Sequence, residues 1–391
     1  MNESRLFRIA AALIALHIVD VELLRPAAGT SASDHLAAAL VPIAVAGAAA
    51  WAYPRLRPGL RSGAALLFGA LTVAAGVMSA PWLIPVGVAL VGLAAWIPLR
   101  LRGTGRWRNR LVAAVAAIVV AIFGVLPVGA ALWTTGKPRA HIGTFAVPHR
   151  DVTFTTSDGL RLSGWYVPSH NGAAIVIVHG GGGDRDGARR HAAMLARAGY
   201  GVLLYDARGR GRSQGSPNAY GWTWGPDVDA AISFVERQRG VRHVGALGLS
   251  TGADVLLETA AHRHDLGAVV ADGTTTESLS DVRRISHGGD LLNVPFFAVQ
   301  YAAAEVLGDA HQMPPLVQLA AEARRTPMLF IASTWKVERD AAPLYARAAD
   351  GELWRVDAGH TAGLRDHPRE YTRKVVGFFD RTLLDRPISR R

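Results

Sequence analysis

Residues 245–256 read GALGLSTGADVL. An apolar run reaches Gly248-Leu249-Ser250-Thr251-Gly252, and a run with helical spacing follows. G-x-S-x-G is short enough to arise by chance in a chain with 42 glycines, so its flanks decide its meaning. A nucleophilic serine of this kind sits on a sharp turn between a buried strand and a helix. VRHVGALGL, before it, has the character of a buried strand, and TGADVLLETAAHR, after it, reads as a helix. Small residues at Gly248 and Gly252 then have a purpose, because they let strand and helix approach closely. The N–H of Thr251 falls at a helix N-terminus, where a developing oxyanion is stabilised.

The same alternation extends in both directions. DVTFTTSDGLRLSGWYVP reads as two strands about the turn Ser157-Asp158-Gly159. AAIVIVHGGGGD is an apolar strand ending at His179, and DGARRHAAMLARAGY is a helix closed by Gly199. GVLLYD is a further strand, and PDVDAAISFVERQRG is a helix with Pro226 at its first position and Gly240 past its end. PMLFIAS (327–333) and GELWRVDAGHTAGL (351–364) add two strands, and PREYTRKVVGFFDRTLL closes the chain as an amphipathic helix. Strands alternating with helices imply a mostly parallel sheet covered on both faces. A serine hydroxyl also needs a base. His360 follows the last strand, where a Ser…acid…His order places one.

The segments VHGGGGD, YDARGRGRSQG, GLSTGA and GHTAGL, in that order, resemble the α/β-hydrolase superfamily, nearest its serine-aminopeptidase-like or esterase–lipase-like branch. The resemblance implies acyl transfer to Ser250 with His360 as the proton shuttle. It also implies a second oxyanion N–H from Gly181, in the loop opened by His179 and Gly180, paired with that of Thr251. Asp206 and Arg208 would be structural residues of a neighbouring turn. HGGGGD lacks the GK[ST] of a phosphate-binding loop, and no metal or organic cofactor is implied.

The acid departs from the pattern. Its usual slot, about four residues beyond the penultimate strand, holds Lys336, which would oppose an imidazolium. Glu338 is the favoured replacement, Asp340 the next, and Asp272, at the end of the preceding strand, a third. Lys336 also motivates an alternative, an inactive hydrolase-like domain acting as a membrane-tethered binding or scaffold module. Between Asp272 and Pro327 an insertion (about 273–325) is expected to form a lid or cap, and its apolar NVPFFAVQYAAAEVLG (293–308) suits an active-site cover or a membrane surface.

Charge divides the chain. Residues 1–150 hold 14 Lys or Arg against 4 Asp or Glu, whereas 151–391 hold 28 against 27. The excess positive charge therefore lies in an apolar region, which argues against a nucleic-acid partner. Stretches 35–53, 62–80, 82–99 and 111–134 lack Asp, Glu, Lys and Arg over a bilayer-spanning length. A fifth candidate, 6–24, carries Arg8, His17, Asp20 and Glu22. Arginines cluster between 35–53 and 62–80 (Arg55, Arg57, Arg61) and between 82–99 and 111–134 (Arg100, Arg102, Arg106, Arg108, Arg110). By the positive-inside rule, five spans place the N-terminus and both arginine loops in the cytoplasm and the following domain outside. The expected organisation is thus a transmembrane bundle (1–135), a linker (136–149) and an α/β-hydrolase domain (150–391). Its partners are the bilayer and an ester or amide substrate. The absence of cysteine excludes disulfides and thiolate chemistry.

Overall fold

The computed structural model describes residues 2–78, 80–100, 106–136 and 141–384. The chain forms two compact units, Met1–Pro138 with Gly288–Ala310, and Arg139–His287 with His311–Arg391.

The first unit is helical: α1 (Glu3–Ile18), α2 (Leu36–Ala52), α3 (Pro58–Met78), α4 (Ile84–Leu99), α5 (Arg106–Val120) and α6 (Leu126–Gly136). α3 and α4 approach through small residues, since a Cβ on Gly87 would lie 2.6 Å from the Gly69 carbonyl. Such backbone proximity is how helices pack where water provides no driving force. The exposed surface is apolar: Leu40, Val45, Val88, Val112, Ile118 and Trp133 all face outward. Four of its helical stretches are long and apolar enough to cross a bilayer, Ala32–Arg55, Pro58–Gly76, Pro81–Leu99 and Arg110–Gly136. Among the described residues, the fifth such helix is Gly288–Gly308 rather than the first helix of the chain.

α1 continues through Leu24 as a wider helical turn, and its polar residues are paired. Asp20 bonds Arg25, Glu22 meets His35 at 3.0 Å, and Glu3 pairs with Arg61 at the opposite end. The last pair brings the N-terminal end of α1 to the arginine-bearing start of α3. Arg102, in the second arginine loop, lies outside the described residues.

The second unit is built on an eight-stranded sheet ordered β1-β2-β4-β3-β5-β6-β7-β8. The strands are β1 (Arg150–Thr155), β2 (Arg161–Val167), β3 (Ala173–Val178), β4 (Gly201–Tyr205), β5 (His243–Leu249), β6 (Ala268–Asp272), β7 (Met328–Ala332) and β8 (Glu352–Arg355). β2 is antiparallel to both its neighbours, β1 and β4, and every pair from β4 to β8 is parallel. The helices are α7 (Arg189–Arg197), α8 (Gly225–Glu236), α9 (Thr251–His262), α10 (Leu279–Ile285), α12 (Leu316–Glu322), α13 (Lys336–Ala349), α14 (Gly363–Asp366) and α15 (Pro368–Phe379). β3, β4, β6 and β7 are buried along their full length, as strands flanked by helices on both faces must be.

Two boundaries differ from the sequence expectation. Residues 141–149 are not a bare linker: Ile142 and Phe145 are buried in the sheet unit's core, and Phe145 stacks on Trp165 with ring centroids 5.1 Å apart. The insertion after β6 is also divided. α10 and α12 remain with the sheet, whereas α11 (Asn293–Gly308) packs on α2 and α6 of the helical unit. β6 and β7, which flank the insertion, are adjacent parallel strands.

Candidate active site

Ser250 occupies the turn between β5 and α9 with φ 54° and ψ −127°. A residue with a Cβ pays about 1–3 kcal/mol for such a conformation, so its surroundings must impose it. They do so by close packing. A Cβ at Gly248 would lie 2.4 Å from the Gly252 carbonyl, and one at Gly252 would lie 2.3 Å from the Val178 carbonyl. The Ser250 N–H donates to the Asp272 carbonyl at 2.8 Å. The side chain is thereby held at the C-terminal edge of the parallel strands.

His360, in the loop after β8, lies with Nε2 2.8 Å from Ser250 Oγ. Its Nδ1 is 2.6 Å from Glu338 Oε1. Glu338 is fully buried in the first turn of α13, where it also accepts the Ser333 N–H at 2.7 Å and the Ser333 hydroxyl at 2.8 Å. A carboxylate only accepts, so the His360 proton sits on Nδ1 and leaves Nε2 to receive the serine hydroxyl. A base so oriented can take a hydroxyl proton as the oxygen attacks a carbonyl. Trp335 packs edge-on against the imidazole, with centroids 4.9 Å apart.

The other acids stand elsewhere. Asp340 pairs with Lys336 at 2.7 Å, one helical turn apart on α13, and does not join His360. Lys336 therefore occupies the expected acid position in sequence while its ammonium is engaged by Asp340. Asp272 is buried and accepts the Tyr371 hydroxyl at 2.7 Å. Burial, reinforced by the nearby Glu338 charge, pushes its carboxyl up to about 7 despite that bond.

The loop after β3 lies against the serine turn. A Cβ on Gly180 would be 3.4 Å from that of Ser250, and one on Gly181 would lie 1.7 Å from the Ala219 carbonyl and 2.8 Å from Thr251 Oγ1. Only glycine fits at 181. Among the described residues, neither the Gly181 N–H nor the Thr251 N–H meets an acceptor. His179 is buried, its Nδ1–H donating to the Gly180 carbonyl at 2.8 Å while Nε2 accepts from the Ala207 N–H at 3.1 Å. Burial pulls its pKa down, so it serves as a neutral clamp between two loops. The turn after β4 is held by Asp206, which accepts Arg185 and Arg212 N–H groups, and by Arg208, which meets the buried Asp227 at 2.7 Å.

Residues 169–285 match the family model described as Serine aminopeptidase, S33. The esterase Pf2001 of Pyrococcus furiosus superposes with a TM-score of 0.51 at 21% identity, covering 63% of this chain and 98% of that one. GrgF from Penicillium, called an alpha/beta hydrolase, gives 0.51 at 19% identity over 61% of this chain and 99% of its own. The sheet unit has the α/β-hydrolase fold. Among curated relatives, an uncharacterised protein of Mycobacterium tuberculosis is 34% identical over 143 residues, 35% of this chain and 50% of the relative. YfhR of Escherichia coli K12, also uncharacterised, is 29% identical over 164 residues, 39% of this chain and 57% of its own length. The chain thus spans about half the length of the curated relatives it matches.

Sequence reasoning did not single out Ser333 or Trp335 in the sheet unit. Ser333 directly follows β7, five residues before Glu338, and its signal was a polar residue just past an apolar strand. Trp222 and Trp224, just before α8, are buried, and Trp222 donates to the Glu277 carbonyl at 3.0 Å.

Proposed function

We propose that this protein is a membrane-tethered serine hydrolase that cleaves a carboxylic ester or amide. The observation that carries the proposal is the continuous chain from the strained Ser250 through His360 to the buried Glu338, at 2.8 and 2.6 Å. Ser250 Oγ attacks the substrate carbonyl as its proton passes to His360 Nε2. The carbonyl oxygen, now an anion, takes hydrogen bonds from the N–H groups of Thr251 and Gly181. His360 returns the proton to the leaving alcohol or amine, and the acyl group stays on Ser250. Water, deprotonated by the same imidazole, releases the acid. Glu338 holds the ring in its productive tautomer and offsets the imidazolium charge in each half-reaction.

The membrane tether rests on the four apolar helical stretches before residue 137 and on the outward-facing apolar side chains of the helical unit. The arginine distribution orients it with the hydrolase unit outside the cytoplasm. The Glu3–Arg61 pair supports that orientation by joining the N-terminus to the first arginine loop. Gly288–Gly308, although long enough, does not cross, because the strands before and after it lie side by side in one sheet. The scaffold alternative rested on Lys336, whose charge is taken up by Asp340.

The test is covalent labelling of the full-length protein in detergent with a fluorophosphonate. Wild-type protein is expected to label and Ser250→Ala is not. Equal labelling of the two removes Ser250 from the mechanism, and labelling of neither restores the scaffold reading.

A further inference from the structure

A cavity of about 740 Å³, whose lining includes neither Ser250 nor His360, opens on the hydrolase unit among residues of α10, α12 and α13 and His287. Four of its lining side chains are cationic: Arg284, Lys336, Arg339 and Arg347. A single carboxylate, Asp340, accompanies them, and Lys336 takes it at 2.7 Å. On α13 the polar members stand at 336, 339, 340 and 347, spacings that put them on one helix face. Arg284 faces them from the last turn of α10. Among the described residues, no carboxylate or carbonyl pairs with the guanidinium of Arg284, Arg339 or Arg347. Arg185, Arg208, Arg263, Arg365 and Arg381 of the same unit each hold an acid.

We infer that this cavity binds a phosphoryl group carried on an apolar body. Converging cations of one sign raise the local concentration of anions, and the repulsion among them is relieved when an anion enters. The guanidinium fork matches phosphate oxygens in pairs of hydrogen bonds. Three unpaired arginines suit a group with several anionic oxygens better than a lone carboxylate, which one arginine satisfies. The volume far exceeds a bare phosphate and falls in the range of organic-ligand sites. Ile285, Val317, Leu344 and Ala348 supply the apolar remainder of the wall. His287, on the rim, is the residue before Gly288, where the chain leaves this unit for the apolar one. A phospholipid headgroup and a soluble phosphoester offer the same chemistry, and they are told apart by experiment.

The full-length protein is assayed in two arms. Titration calorimetry in nonionic detergent uses glycerol 3-phosphate as the soluble probe. Native mass spectrometry after reconstitution in phosphatidylcholine nanodiscs, with and without phosphatidylglycerol, measures retained lipid. Wild-type binding is expected in at least one arm and falls at least tenfold, about 1.4 kcal/mol, in Arg339→Gln/Arg347→Gln. Arg369→Gln, which removes a charge that does not line the cavity, leaves it unchanged. Binding of glycerol 3-phosphate alone identifies a soluble phosphoester, and retention of phosphatidylglycerol alone identifies a lipid. Thermal melts verify folding, and Arg284→Gln, on the opposite wall, replaces the double variant if that one does not fold. Absence of binding in both arms overturns the inference, as does an equal loss in Arg369→Gln.

Discussion

Replacing Glu338 by glutamine keeps shape and volume while removing a charge, and the geometry around it dictates a large kinetic effect. Its carboxylate accepts three hydrogen bonds, at 2.7 and 2.8 Å from Ser333 and at 2.6 Å from His360. An amide has one accepting oxygen and one donating nitrogen, so one end of the substituted side chain meets the wrong partner. If its NH2 faces His360, the imidazole must accept at Nδ1, its proton moves to Nε2, and Ser250 loses its base. If its NH2 faces Ser333, two donors oppose each other in a site with no solvent access, at a cost of about 1–3 kcal/mol. Either arrangement also removes the negative charge that offsets the imidazolium. Neutralising a triad acid in this manner lowers kcat about 10⁴-fold, which corresponds to about 5.4 kcal/mol of transition-state stabilisation.

The assay is steady-state hydrolysis of a p-nitrophenyl ester by the detergent-solubilised full-length protein. The Asp340→Asn variant serves as the comparison, because among the described residues Asp340 pairs with Lys336, one turn away on α13, and not with His360. Its kcat is expected within about twofold of wild type, since an exposed i,i+4 pair contributes about 0.3–0.5 kcal/mol to stability and none to the reacting atoms. A loss below tenfold for Glu338→Gln would refute the assigned role. A loss for Asp340→Asn as large as that for Glu338→Gln would refute the argument that burial separates the two acids.

Two further outcomes are expected. Asp272 has its folded pKa raised to about 7 by burial, against about 3.9 in the unfolded chain. The stability associated with its neutral form is complete below pH 4 and is lost as pH rises to 7, by about 4 kcal/mol in total. Asp272→Asn does not titrate, so its melting temperature relative to wild type should rise between pH 5 and pH 8; a pH-independent difference contradicts the assignment. For topology, the cysteine-free sequence permits single-cysteine labelling with an impermeant maleimide. His264→Cys and Arg369→Cys, on either side of residues 288–308, should both react in intact cells, whereas Arg57→Cys should react only after permeabilisation. Reaction of only one of the first two would mean that 288–308 crosses the bilayer.

Much of the hydrolase fold is visible in the chain because its causes are local. β3, β5 and β7 are short apolar runs, each ended by a polar residue or glycine, and the turn at Ser250 carries glycines where backbones must touch. The acid was also available from helix phase. Glu338 precedes Ala341, Ala342, Tyr345, Ala346 and Ala349, the buried face of α13, at intervals that place it on that same face. Asp340 falls one turn after Lys336 on the other side. Reading the loop as an acid slot at fixed distance from β7 obscured this, because the chain enters α13 at Lys336 and the helix, not the loop, aims the carboxylate. Ser333 was illegible for a different reason. A serine at a strand end is ordinary until the glutamate it bonds is known to be buried.

The insertion at 288–310 resisted a local reading. Its 21-residue helical stretch Gly288–Gly308 has the length and hydropathy of a membrane span, and an apolar lid over a hydrolase site has the same composition. What separates the readings is long-range. Val269 to Asp272 of β6 stand in register with Met328 to Ile331 of β7. The chain must therefore return to the sheet it left, and a single crossing would leave β7 and β8 across the bilayer from β6. Packing of α11 on α2 and α6 supplies the second constraint, because it assigns the helix to the apolar unit. A segment apolar enough to cross, yet joined at both ends to the same sheet unit and packed on α2 and α6, is read from those pairings and not from its composition.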